Sequence, residues 1–152
     1  MMSSILATII RHPDENLAKC TLEPLCLRKE LSFFQFSASL KIEASDAIVL
    51  SVDAPLISKT DVGRPLILLD GNWKHVPKLK SCLTGVPIYR SLPKVPTAYP
   101  RRNDEGLDPL EGLASVEALY LALKLLGHDD PSLLSQYHWR EQFLKSVALF
   151  KI

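Results

Sequence analysis

The sequence predicts an α/β domain, and three observations point there. Short apolar runs recur at Ile5–Ile10, Ala47–Val52 and Leu66–Leu69, each bounded by polar or turn residues, as buried strands are. Two C-terminal stretches carry apolar residues at helical spacing instead. The hydrophobic fraction of 47% in 152 residues suffices for a real core. A chain of this length reads as one domain and buries roughly 68–70% of its unfolded surface.

The elements follow in order. Ile5–Ile10 is a first strand, and Arg11–Asn16 a polar loop. Thr21–Leu31 is a short helix or irregular, because Pro24 interrupts it. Phe33–Phe36 reads as strand. Ala47–Val52 is a second buried strand, followed by turn residues up to Arg64. Pro65–Asp70 is the best-marked strand. Asn72–Leu83 is a candidate helix, with Pro77 tolerable only in a first turn. Ile88–Leu92 is a weak strand or a loop. Pro87, Pro93, Pro96 and Pro100 make 85–112 largely irregular, and a loop that long inside a compact domain is usually functional. A helix is predicted from Ser115 to Leu126, with Val116, Leu119, Tyr120, Leu123 and Leu126 on one face and Gly127 as its stop. A second helix is predicted from Asp130-Pro131, as N-cap and first residue, through Leu134, Tyr137, Phe143, Leu144 and Val147.

The chemistry-bearing segment is Pro65–Trp73. Its strand ends on Asp70, Gly71, Asn72 and Trp73, an acid, a flexible residue, an amide and a large aromatic. In open α/β sheets, ligands bind outside the carboxyl ends of the strands. From Gly71 to Arg102 there is no acidic residue, while Lys74, Lys78, Lys80, Arg90, Lys94, Arg101 and Arg102 are basic. The net charge of +1 hides this segregation, because acids cluster near both ends. A basic segment beside one strand-end acid fits chemistry on a polyanion such as RNA; a solvated surface with accidental clustering is the plainer alternative. His12 and His75 read as surface or capping residues rather than catalysts.

Other classes are disfavoured. Cys20, Cys26 and Cys82 form no C-x-x-C pair, which argues against a disulfide framework and a structural zinc site. A reducing cytoplasm is the expected setting. No apolar run approaches the roughly 20 residues of a membrane helix, and the N-terminal apolar stretch lacks a preceding basic region. There is no phosphate-cradling Gly-rich loop, and no metal is expected.

An ordered set of short segments resembles one family. Asp14-Glu15-Asn16 and Lys19-Cys20-Thr21 match part of an early D-P-x-x-C-T/S segment. Leu50-Ser51-Val52 and Ser58-Lys59-Thr60-Asp61 match part of an L-S-P…S-P-x-D pair. Asp70-Gly71-Asn72-Trp73 stands between D-C-S-W and D-G-T-W. Arg90-Ser91-Leu92-Pro93 matches R-x-L-P, and Leu113-Ala114-Ser115-Val116-Glu117-Ala118 matches L-S-x-x-E-A. Gly127, Leu133-Leu134, Tyr137, Trp139 and Phe143 follow the family's ending. The chain thus resembles the aminocarboxypropyltransferases that modify small-subunit ribosomal RNA, and more distantly their DTW-domain relatives that act on tRNA. It departs from them at Val52 and Lys59, which replace two prolines, and across Ala98–Asn103.

The resemblance implies a SPOUT-like domain over 1–152, with a mostly parallel sheet flanked by helices and a C-terminal trefoil knot. Residues 1–64 would form the N-terminal α/β part and 65–152 the knotted, cofactor-binding part. It implies S-adenosylmethionine as donor of a 3-amino-3-carboxypropyl group to N3 of a uridine or pseudouridine. The acceptor would be small-subunit rRNA or the pre-ribosomal small subunit, with tRNA uridine or methyl transfer as alternatives. Asp70 is the candidate catalytic base; orienting the donor's amino group or capping the next helix are its other readings. Thr21, Leu50, Val52, Leu69, Trp73, Val95, Thr97, Leu113 and Ser115 are the candidate cofactor contacts, with Leu50, Val52 and Leu69 as an apolar slot for adenine. Lys74, Lys78, Lys80, Arg90, Arg101 and Arg102 are the candidate RNA contacts. Glu117 reads as favourable to the helix dipole without further role.

Overall fold

The computed structural model describes residues 5–14, 21–71, 74–99 and 113–150. Five strands form one sheet: β1 (Ala7–Arg11), β2 (Leu31–Gln35), β4 (Ile48–Leu50), β5 (Leu66–Asp70) and β7 (Ile88–Arg90), in spatial order β2-β1-β5-β4-β7. Every pairing in it is parallel. Parallel sheets are covered on both faces, which is why the strands read as near-continuous apolar runs. Ile9, Ile48, Leu50, Leu66 and Leu68 face a core built with α2 (Ser115–Leu125) and α3 (Arg140–Leu149). Ile10, Val49, Ile67 and Leu69 point the other way, toward Leu79 of α1 (Val76–Lys80) and Cys82. This is the period-2 alternation of a strand read on two buried faces.

The chain leaves β1 toward β2 on one side of the sheet, and leaves β5 toward β7 on the other. The crevice between the carboxyl ends of β1 and β5 is therefore a topological switch point, the preferred ligand position in open α/β sheets. Arg11 and Asp70 are the paired last residues of those two strands.

The helix from Ser115 ends as the sequence predicts. Gly127 adopts φ 102°, and the N–H groups of Gly127 and His128 donate to the carbonyls of Lys124 (3.1 Å) and Leu123 (2.7 Å). This is the Schellman arrangement, which satisfies two otherwise orphaned helix-end carbonyls. α2 is buried along Val116–Leu123, because the sheet covers one side and α3 and the 131–139 segment cover the other.

Two sequence expectations need correction. The continuous helix from Asp130 is instead a short 3-10 turn, Pro131–Leu134, followed by α3. Asp130 does cap the turn, accepting from the Ser132 N–H at 3.0 Å. The helix breaks after Leu134 and lets Tyr137 reach a buried carboxylate at 3.0 Å, while Trp139 packs edge-on against Tyr99. The candidate helix over Asn72–Leu83 shrinks to Val76–Lys80, with Pro77 in its first turn, where a missing N–H costs little. Leu83 belongs instead to β6 (Leu83–Thr84), which pairs with β3 (Ile42–Glu43), and two-residue strands leave no periodic signal. Among the described residues no helix is long and apolar enough to cross a membrane.

Candidate active site at the ends of β1 and β5

Asp70 is buried at the end of β5, on the α2 face. Its Oδ1 accepts from the Ser115 hydroxyl at 2.8 Å, and its Oδ2 lies 3.5 Å from Nε of Arg11. Arg11 is held in turn by Glu23 at 2.8 Å and lies over the Phe33 ring at 5.0 Å. The ion pair and the Ser115 hydrogen bond orient the Asp70 carboxylate.

Ser115 is the first residue of α2, and Ala114 holds the N-cap position without a side-chain acceptor. Thr21 supplies the missing cap from the far end of the sequence, its Oγ1 accepting from the Val116 N–H at 3.0 Å. The helix N-terminus, with its positive dipole end, thus meets Asp70 and two hydroxyls at the switch point.

Glu117 ties the neighbouring loop to this corner. The residue is fully buried. Its Oε1 accepts from the Thr97 hydroxyl at 2.5 Å and the Ala114 N–H at 2.8 Å. Its Oε2 accepts from the Ala98 N–H at 2.9 Å and the Tyr137 hydroxyl at 3.0 Å. It is far more than a dipole partner: it joins the loop over residues 93–99, the start of α2 and the 131–139 segment. The family-like segment around it flagged the position, but three of its four donors come from distant sequence. Arg11 was missed for a similar reason, since only its register opposite Asp70 gives it a role.

The predicted site residues divide. Thr21, Asp70, Thr97 and Ser115 meet around the N-terminus of α2. Leu50 and Leu69 face opposite sides of the sheet, and Val52 is exposed beyond the end of β4. These three side chains therefore form no common slot, because odd and even strand positions cannot share a face. Val95 and Leu113 are buried in the core, so any contact from them to a ligand would be through backbone. Trp73, Arg101 and Arg102 lie outside the described residues.

The cationic residues divide too. Lys74 and Lys78 are exposed, whereas Lys80 sits with its ammonium 4.8 Å from the centre of the Tyr89 ring. Arg90 is not a surface cation: its Nε contacts the buried Asp61 at 3.0 Å and its guanidinium bonds the Tyr89 carbonyl at 2.9 Å. Burial alone would push the Asp61 carboxyl up, but the Ser58 N–H and the Arg90 guanidinium outweigh it and hold it below its ordinary value. A depressed folded value means stability that is present above the unfolded carboxylate range and lost as pH falls through the folded value. Arg90→Ala is expected to cost about 1–3 kcal/mol at neutral pH and to move the onset of acid unfolding to higher pH. Urea titrations across the acid range check both.

On the opposite face of the same edge, His12 and His75 stack with ring centroids 3.5 Å apart and planes within 3°. His12 is buried, not a surface residue, and its backbone N–H donates to the Asp70 carbonyl at 3.1 Å. Burial first, then the neighbouring His75, lowers its pKa from the ordinary value. Gly71 keeps this corner tight, since a Cβ there would meet Leu79 Cδ1 at 3.0 Å and His75 Cβ at 3.3 Å. His12, Asp14 and His75 bring three potential metal-ligand atoms within 4.8 Å of one another. Face-to-face rings hold their lone pairs in separate parallel planes, however, and His12 Nδ1 already accepts from the Asp14 N–H at 3.1 Å. The arrangement is not preformed for a metal ion, whose ligands must converge.

No protein-family model and no curated protein sequence matches the chain. A solved structure does: the SAM-dependent rRNA:acp-transferase Tsr3 from Vulcanisaeta distributa, with a TM-score of 0.70 at 24% sequence identity. The likeness covers 96% of this chain and 80% of that one. Likeness at this identity establishes a shared fold, a mixed α/β architecture with a mostly parallel sheet flanked by helices, and the strand-end site lies within it.

Proposed function

We propose that this chain transfers the 3-amino-3-carboxypropyl group of S-adenosylmethionine to N3 of a uridine or pseudouridine in RNA, with small-subunit rRNA as the preferred target. The observation that carries this reading is the Asp70–Ser115 hydrogen bond at the switch point, in a fold shared with an rRNA:acp-transferase. The fold is proposed to be SPOUT-like, with a trefoil knot in its C-terminal part. The all-parallel sheet and the seating of the 93–99 loop on α2 support that reading. Work in the cytoplasm, in ribosome biogenesis, follows from the same proposal.

The residues present suit the donor. A buried carboxylate complements an ammonium and a sulfonium. The Thr21 hydroxyl, which accepts from the Val116 N–H, has its proton for a ribose or carboxylate oxygen, while the Thr97 and Ser115 hydroxyls, which donate to Glu117 and Asp70, can accept from ribose hydroxyls. When bound, S-adenosylmethionine supplies an electrophilic carbon beside its sulfonium. Asp70 takes the proton that N3 carries at neutral pH. Ser115 and Arg11 hold the carboxylate in one orientation, and Glu117 holds the loop that closes the corner. Positioning contributes heavily, because selecting one sulfonium substituent over another is an orientation problem.

Incubation with S-adenosylmethionine and small-subunit rRNA, followed by nucleoside mass spectrometry, tests the proposal. The expected product carries the charged amino acid arm on a uridine or pseudouridine. A methylated product, or modification of tRNA alone, would overturn the reaction or the target respectively.

A further inference from the structure

The α1 face of the sheet edge carries a second site that the transfer chemistry does not use. A cavity of about 600 Å³ opens there, lined among others by His12, Phe36, Lys41, Lys78 and Ser81. Phe36 follows the end of β2 and His12 the end of β1, so neighbouring parallel strands place both rings on one face. Their planes lie within 5° of parallel, with centroids 6.5 Å apart, at the loose end of aromatic contact. His12 also stacks on His75, so it is common to two parallel ring pairs. Phe36 is half-buried, and Lys41 and Lys78 are exposed on the same cavity. Among the described residues the wall carries one acid, Asp14.

Aligned aromatic faces beside flexible ammonium groups are what single-stranded nucleic acid requires: rings for bases, cations for the phosphate track. A site built for an anion alone would need no ring stack. A site built for an apolar ligand would not spend lysines on its rim.

We propose that this cavity takes one unpaired nucleotide of single-stranded RNA, its base stacked on Phe36 against the His12–His75 pair and its phosphate held by Lys41 and Lys78. The proposal rests on the RNA reading above and extends it. Asp70 turns its carboxylate to the α2 face, so this nucleotide flanks the one that reacts. The site then helps decide which strand context the enzyme accepts.

The test is binding of a fluorescent octauridylate to the full chain, read by anisotropy. Phe36→Ala is expected to weaken it roughly 5- to 100-fold, the worth of one stacked base, and Phe36→Tyr to restore it. S-adenosylmethionine affinity should not change in either variant, which also reports that they fold. A 4-thiouridine oligonucleotide should crosslink to wild type within the peptide holding Phe36. Unchanged octauridylate affinity in Phe36→Ala overturns the proposal. So does an equal loss of affinity for inorganic polyphosphate, which would assign the effect to charge alone. Binding that requires added zinc and vanishes in His75→Ala would make the cluster a metal site and overturn it as well. A wild-type chain that binds octauridylate through Phe36 but modifies no RNA would instead overturn the transferase reading and leave this site standing.

Discussion

Replacing Glu117 with Ala is expected to remove about 4 kcal/mol of stability, the largest effect of any single substitution proposed for this chain. The carboxylate is fully buried and accepts from four donors, two of them backbone N–H groups. Truncation strands the Ala98 and Ala114 N–H groups away from water. Each abandoned buried donor costs about 1–3 kcal/mol, and the cavity adds to that. Against a total stability of about 5–15 kcal/mol, the variant is expected to unfold roughly 10 °C or more below wild type. Glu117→Gln keeps the volume but turns an NH₂ group toward N–H and O–H donors, so about 2 kcal/mol is expected. Urea unfolding of both variants measures this. Because Glu117 joins the 93–99 loop to α2, S-adenosylmethionine affinity should fall along with stability. A Gln variant as stable as wild type would show that the second oxygen is dispensable and that the loop is held by packing.

Glu117 also shows where sequence reading stopped. The strands were legible because burial on both faces leaves continuous apolar runs, as at Leu66–Leu69. The end of α2 was legible because Gly127 is a local signal read by local geometry. Asp70 was legible because a strand-end acid precedes Gly71 and a basic segment. What escaped depended on pairing between distant residues. Glu117 has the composition of an ordinary first-turn acid, and only the fold brings Thr97, Ala98 and Tyr137 to it. The break between Leu134 and Arg140 escaped because those side chains fit a helical pattern, and tertiary contacts of Tyr137 and Trp139 overrode it. Arg90 read as a surface cation because its partner, Asp61, lies on a different segment. His12 and His75 read as surface or capping residues, and the ends of β1 and α1 bring them into ring contact.

Asp70→Asn is the substitution expected to change activity most. Transfer should fall about 10²- to 10⁴-fold, the usual worth of a positioned base, with S-adenosylmethionine affinity little changed. Asn keeps the shape and still accepts from Ser115 through its carbonyl, while its NH₂ group replaces the oxygen facing Arg11, so proton acceptance and that ion pair are lost together. Ser115→Ala makes the complementary test. It leaves the carboxylate but removes the Ser115 hydrogen bond, and a smaller drop of about tenfold is expected from looser positioning. The pH dependence separates base from positioner. If Asp70 removes the N3 proton, the Asn variant depends on hydroxide to do so, and its single-turnover rate should rise tenfold per pH unit until uridine ionises unaided. The wild-type rate should be flatter over the same range, because a positioned group rather than hydroxide removes the proton. If Asp70 only orients the donor, the variant should instead show weakened S-adenosylmethionine binding, a rate that recovers at saturating donor, and a pH profile parallel to wild type. Calorimetric titration of the donor and single-turnover rates on one RNA decide between the two, and recovery at saturation would remove Asp70 from the proton transfer.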